Sequence, residues 1–124
     1  MPTVSKQSAS RSASMEGFET HYEEVDGYTI AFESYDRHVD LAPFFKGLPN
    51  DRCQAAHWGV VLKGKLIYQY DDGEDVVTEG QAYYARPGHT PELFPGTEVI
   101  EFSPTTQLSK TMAVVMQNME QSAR

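Results

Sequence analysis

Along most of this chain apolar and polar residues alternate in short runs separated by turn residues. Tyr28, Ile30 and Phe32 alternate with Thr29, Ala31 and Glu33, a period of two that predicts a strand. His57 to Leu62 predicts another, Lys63-Gly64-Lys65 a turn, and Leu66 to Tyr70 the returning strand. Asp71-Asp72-Gly73-Glu74 predicts a tight hairpin, because an Asp-Gly pair tolerates positive φ. Val76 and Val77 follow, Glu79-Gly80 turns again, and Ala82 to Ala85 and Glu98 to Phe102 read as further strands. Between those two, Pro87-Gly88, Pro91 and Pro95 predict irregular backbone.

Two segments break the alternation. Asp40 before Leu-Ala-Pro-Phe-Phe-Lys-Gly predicts a short helical turn, with Asp40 as its cap and Gly47 as its end. After Pro104, Met112, Val115, Met116 and Met119 recur at helical spacing, which predicts a closing amphipathic helix. The first fifteen residues hold mostly Ser, Ala, Thr, Gln, Lys and Arg. They bury too little apolar area to offset their ordering entropy, so a flexible tail is expected. Many short strands and few helices predict an all-β barrel or sandwich. The expected organisation is a tail over 1–15, a β-barrel domain over 16–106 and an amphipathic helix over 107–124.

Composition narrows the function classes. A length of 124 residues with 40% hydrophobic content fits one core. A net charge of −8 argues against nucleic acid, which needs clustered Lys and Arg, and against an anionic membrane surface. A single cysteine excludes an internal disulfide and suits a reducing compartment. No apolar run reaches the ~20 residues of a membrane span, and the Ser-rich start lacks the apolar centre of a secretory signal. A cytoplasmic location is the expectation.

Two blocks resemble the motifs of the cupins, a superfamily of small jelly-roll β-barrels. With Gly64 as the glycine closing the first cupin motif, the motif's glutamate position falls on His57. Its second histidine position falls on Cys53 and its first on Asp51. In the second motif Gly80 is the opening glycine and Gly88 the later one. Pro91 stands at the usual histidine position, and His89 lies two residues before it. Pro87-Gly88-His89-Thr90-Pro91, with Glu101-Phe102-Ser103-Pro104 after it, resembles a subgroup of short single-domain cupins without a settled activity. The resemblance covers roughly residues 28 to 104. It implies a jelly-roll barrel with a site at its mouth, inward-pointing side chains on the His57 face, and pairing into a homodimer.

The candidate chemistry lies in those two blocks. Asp51, Cys53 and His57 share parity, so extended backbone projects them to one face. With His89, Cys53 and His57 make a plausible zinc set, because zinc accepts thiolate and imidazole in tetrahedral geometry. The alternative set is His57 and His89 with Asp51 or Glu92, an oxygen-richer site for another divalent metal. Tyr84, Arg86 and Glu92 flank His89 in the chain and are placed in the substrate pocket. By alternation, two of Tyr68, Tyr70, Tyr83 and Tyr84 line the interior. His21 and His38 sit in polar surroundings and are read as surface residues. No nucleophile elbow, phosphate-cradling loop or dinucleotide fingerprint occurs.

The leading reading is a cupin-fold protein of unassigned activity that binds a divalent metal and a small organic molecule. The alternative is a metal-free binding or sensor module with a degenerate cupin site. A third is a structural or partner-binding dimer held by edge strands or by the Met-rich helix.

Overall fold

The computed structural model describes residues 3–15 and 17–122. Ten strands precede one helix: β1 (Arg11–Met15), β2 (Phe18–Val25), β3 (Tyr28–Tyr35), β4 (Val39–Asp40), β5 (His57–Lys63), β6 (Lys65–Tyr70), β7 (Gly73–Thr78), β8 (Ala82–Ala85), β9 (Thr90–Leu93), β10 (Thr97–Pro104) and α1 (Thr105–Ser122). They form two antiparallel sheets, ordered β1-β2-β3-β10-β5-β8 and β4-β9-β6-β7. No described helix is long and apolar enough to cross a membrane.

Turn chemistry sets the hairpins. Asp26 and Gly27, with φ 52° and 83°, join β2 to β3 in the positive-φ pair that a two-residue turn requires. At the acidic hairpin Tyr70 pairs with Gly73, so Asp71 and Asp72 form the turn and Gly73 opens β7. Asp40 accepts a bond from the Ala42 N–H at 3.0 Å and starts a 3-10 turn over Ala42–Phe45, the short helical turn that the sequence predicts.

The facing sides of the two sheets supply the core. Val61 on β5, Leu66 on β6 and Val99 on β10 are buried together with Tyr35 and Tyr68. A smaller cluster of Phe45, Cys53, Ala55 and Val115 joins α1 to this core at one end. There α1 lies across the open end of the sheets, and Asn118 Nδ2 donates to the Phe44 and Lys46 carbonyls at 2.7 and 2.8 Å.

Two sequence expectations differ from the structure. The stretch read as a flexible tail contains β1, paired with β2 from Arg11 opposite Tyr22 to Met15 opposite Phe18. All five of its residues are exposed, because an edge strand needs backbone partners rather than a buried side-chain face. The second is the segment expected to be irregular around Pro91, which holds β9, paired with β6 from Thr90 opposite Gln69 to Leu93 opposite Leu66. On β3 the expected strand forms, and its inner face is that of Thr29. Thr29, Ala31 and Tyr35 are buried, while Tyr28 is exposed. Residues chosen as apolar therefore face outward, and a face carrying Glu33 points in.

Candidate metal centre and cavity

Backbone pairing brings the candidate ligands together. Cys53 N–H donates to the His89 carbonyl at 2.8 Å, and Gly88 N–H donates to the Cys53 carbonyl at 2.7 Å. This bridge clips the segment before β5 to the turn before β9. His57 is the first residue of β5 and points inward with Gly59 and Val61. The ligand atoms of Cys53, His57 and His89 all lie within 4.8 Å of one another, and all three residues are buried. Cys53 Sγ is 3.6 Å from His57 Nε2. Donors bound about 2.0–2.3 Å from a zinc ion sit roughly 3.5 Å apart, so the widest pair need close by only about 1 Å.

The far side of each imidazole is already engaged. His57 Nδ1 lies 2.7 Å from Ser103 Oγ and 3.7 Å from Glu101 Oε2, leaving Nε2 toward the sulfur. His89 Nδ1 is 2.6 Å from the Arg86 carbonyl oxygen, which can only accept. The proton therefore sits on Nδ1, and Nε2 presents a lone pair. That Nε2 is buried and has no hydrogen-bond partner. Such an oxygen contact on the remote nitrogen is the usual device for orienting a metal-binding histidine.

Without a cation Cys53 and His89 are held uncharged. Burial pushes the Cys53 thiol up to about 11. Burial first, and His57 second, push His89 down to about 4. A dication would reverse the thiol's preference, because its charge is the largest in such a site.

A carboxylate pair adjoins the three. On the inner face of β10, Glu101 accepts bonds from the Tyr68 hydroxyl at 2.5 Å and the Tyr83 hydroxyl at 2.6 Å. Glu33 on β3 receives a weaker bond from Tyr35 at 3.4 Å. Burial chiefly, and the charge of Glu101 next, raise Glu33 to about 8. Native Glu33 thus keeps its proton in a range where the unfolded carboxyl, at 4.5, is ionised. Its contribution to stability is full below about 4.5 and is lost as pH rises toward 8. His89 works the other way: its contribution is lost as pH falls from 6.5 toward 4. Between pH 6.5 and 8 only the Glu33 slope remains of the two. Urea unfolding of metal-stripped protein should show stability falling there by roughly 1 kcal/mol per pH unit. Glu33→Gln should flatten the slope; a wild-type profile already flat over that window would contradict this account.

A cavity of about 620 Å³ opens from these groups, with walls that are mostly apolar. Leu66, Leu93 and Val99 line it from the sheets, and Leu108, Val115 and Met119 from α1.

The residues placed in the substrate pocket from sequence lie elsewhere. Tyr84 is exposed and packs on Trp58 across the outer face, with ring centroids 5.1 Å apart. Arg86 pairs with Asp72 at 2.8 Å and lies 4.0 Å over the Tyr70 ring. Its carbonyl, not its guanidinium, serves the site. Glu92 holds His38 at 2.6 Å and Gln69 at 3.0 Å, and it does not line the cavity. Alternation explains all three, since Tyr83 and Ala85 on β8 and Pro91 and Leu93 on β9 are the inward neighbours. Asp51 is also outside the cluster. It sits in a 3-10 turn over Pro49–Asp51 with φ 56°, so the extended parity does not reach it, and its carboxylate accepts from Gly47 N–H at 3.0 Å. The oxygen-rich ligand set is therefore not assembled. His21 and His38 pair with surface carboxylates, as their polar surroundings suggest.

Glu33, Glu101 and Ser103 escaped the sequence reading as site residues. The available signal was parity: Glu101 is in phase with Val99 and Ser103, whose side chains are buried.

No family model matches the chain, and no curated relative does. Solved structures do resemble it. A protein of unknown function from Rhizobium leguminosarum bv. viciae 3841 superposes with TM-score 0.60 at 17% identity, over 83% of this chain and 94% of that one. Ectoine synthase from P. lautus superposes with TM-score 0.57 at 8% identity, over 84% and 78%. KdgF from Halomonas sp. gives 0.52 at 16% identity, over 76% and 86%. The chain has the cupin fold. The bridge between Cys53 and His89 and the start of β5 bring Cys53 and His57 together. His89 reaches the same point from the turn before β9.

Proposed function

We propose that this cupin-fold chain binds one divalent metal ion, zinc by preference, through Cys53, His57 and His89, and holds a small organic molecule in the adjoining cavity. The observation that carries the reading is His89 Nε2, a buried lone pair with no partner, aimed at a thiol and a second imidazole. An unsatisfied buried acceptor costs about 1–3 kcal/mol unless a ligand fills it. Three protein donors leave a fourth position, and zinc there supplies Lewis acidity toward an oxygen ligand. Ser103 and Glu101 would hold the His57 ring, and the Arg86 carbonyl the His89 ring. The test is metal analysis of tag-free protein and calorimetric titration with zinc. The reading predicts close to one equivalent; no metal as purified and none bound on addition would end it. A metal-free binding module is the second reading, favoured by a cavity whose walls are mostly apolar and by a thiol that burial keeps protonated. In that case His57→Ala would retain ligand binding.

We further propose that two copies pair through the outer face of the six-stranded sheet, rather than through strand edges or the Met-rich helix. Tyr28, Trp58, Leu62, Tyr84 and Phe102 on that face are 41–51% exposed. The pairing makes them contiguous: Phe102 lies opposite both Ile30 and Trp58, and Trp58 opposite Tyr84. The outer face of the other sheet mixes Ile67 and Val76 with Lys65, Gln69, Glu74 and Glu92. Aromatic side chains bury roughly 150–250 Å² each, so four of them and Leu62, each about half exposed, give roughly 400–500 Å². The half-buried Ile30, Phe32, Val60 and Ile100 carry the face toward the ~800 Å² per partner of a stable interface. Light scattering should report about twice 13.9 kDa for the wild type and a monomer for Trp58→Glu with Phe102→Glu. A wild type that stays monomeric at high concentration rules this pairing out.

A further inference from the structure

We infer that the ligand of the cavity is an uncharged molecule with an apolar body and a single terminal oxygen function, an alcohol or a carbonyl, seated with that oxygen at the Cys53, His57 and His89 cluster. The inference rests on the cavity reading above and gives the chemical class of its occupant.

Charge is the first argument. Among the described residues lining the cavity there is no lysine or arginine, but there are Glu33 and Glu101 in the wall and Glu120 nearer the surface. In zinc-free protein a carboxylate or phosphate ligand would lose its hydration beside Glu101 with no cation to offset the cost. An uncharged head avoids that.

The second argument is where the polar groups lie. Cys53 Sγ is 3.8 Å from Thr111 Oγ1 and 3.6 Å from His57, and the His89 ring centroid is 4.8 Å from that of Tyr68. The Tyr68 hydroxyl is bonded to Glu101, which reaches His57. These groups form one connected patch and are largely spent on each other. What remains for a ligand is His89 Nε2 with the metal position it faces, and the Glu33 carboxyl, which receives the 3.4 Å bond from Tyr35. The rest of the cavity offers aliphatic and aromatic carbon from both sheets and α1, with adaptable methionines at positions 112, 116 and 119. Few polar points in an apolar space of about 620 Å³ suit one oxygen on a hydrocarbon body.

The orphaned nitrogen also separates two cases. In metal-free protein an alcohol can donate its hydroxyl proton to Nε2, whereas a ketone has none to donate. With zinc bound, either oxygen can occupy the fourth position.

The experiment is calorimetric titration of the full chain, zinc-loaded and zinc-stripped, with 1-butanol, 1-hexanol, 1-octanol, 2-octanone and octanoate. Affinity should rise about fourfold per added methylene in both forms, the equivalent of roughly 0.8 kcal/mol. Octanoate is compared with 1-octanol on the zinc-stripped protein alone, where it should bind at least tenfold more weakly. The ketone should match the alcohol with zinc and fall behind it without. Leu108→Trp, which fills the cavity from α1, should cut 1-octanol affinity at least tenfold. If that variant does not fold, Met112→Trp at the rim makes the same test. An affinity independent of chain length, octanoate binding tighter than 1-octanol, or binding untouched by a cavity-filling variant that folds overturns the inference. Failure of zinc to bind removes the metal reading alone, since the chain-length series is still read on the stripped protein.

Discussion

His89→Ala should lower zinc affinity at least a hundredfold and remove the thermal stabilisation that zinc confers on the wild type. The expectation follows from what the ring does. Its Nδ1–H is committed to the Arg86 carbonyl, its Nε2 has no partner, and backbone bonds hold it beside Cys53. Losing a mere outer partner of a metal-bound histidine already costs about 10–100-fold, so losing the donor itself costs more. Ser103→Ala provides the graded comparison. It keeps all three donors and frees the His57 ring, and should cost about tenfold. Calorimetry gives the affinities, and melting with and without zinc gives the linked stabilisation. Equal zinc binding by wild type and His89→Ala would locate the metal elsewhere and remove the proposed centre.

Gly64→Ala should destabilise the fold by about 3–5 kcal/mol, the sum of left-handed strain and overpacking. Gly64 turns β5 into β6 with φ +82°, and a Cβ there would lie 2.5 Å from Thr97 Oγ1 and 2.7 Å from Thr97 Cα. Thr97 cannot yield. It is fully buried, and its hydroxyl donates to the Lys65 carbonyl at 2.9 Å and accepts from the Lys65 N–H at 3.1 Å. Gly80→Ala separates the two contributions, because its φ is +84° but nothing lies within 4 Å of the added carbon. That variant should cost only the conformational strain of about 1–2 kcal/mol. Chemical denaturation of both decides the matter. Equal losses would mean that the Thr97 contact relaxes and only φ matters.

The same contrast between local and distant causes runs through the whole chain. The strands around His57, Leu66 and Glu98 were legible because alternation and turn residues act within a few positions. So were the Asp40 turn and the closing helix. The inward direction of His57 was legible from the cupin resemblance. The pocket residues were not. Tyr84, Arg86 and Glu92 are near His89 in the chain, yet strand alternation carries Tyr84 outward, Arg86 turns its guanidinium to Asp72, and Glu92 is held by His38 and Gln69 off the cavity. The polar groups that do line the cavity, Glu33 and Glu101, come from strands paired only after the sheet forms. On β3 alternation marked the strand but not its inner face, for a related reason. A sheet whose outer face is itself apolar gives no polar side to mark solvent.

Turn chemistry and side-chain period, both short-range, were enough to determine an all-β chain with a terminal helix; the cupin resemblance and the residue types singled out a thiol and two imidazoles. Their meeting depended on the bridge between Cys53 and His89, which closes a loop of dozens of residues and has no local signature. Sheet pairing likewise decided which carboxylates enter the interior, which aromatic residues remain outside, and that α1 lies over the cavity. Those outcomes are set by contacts between segments far apart in the chain, where neither propensity nor period carries information.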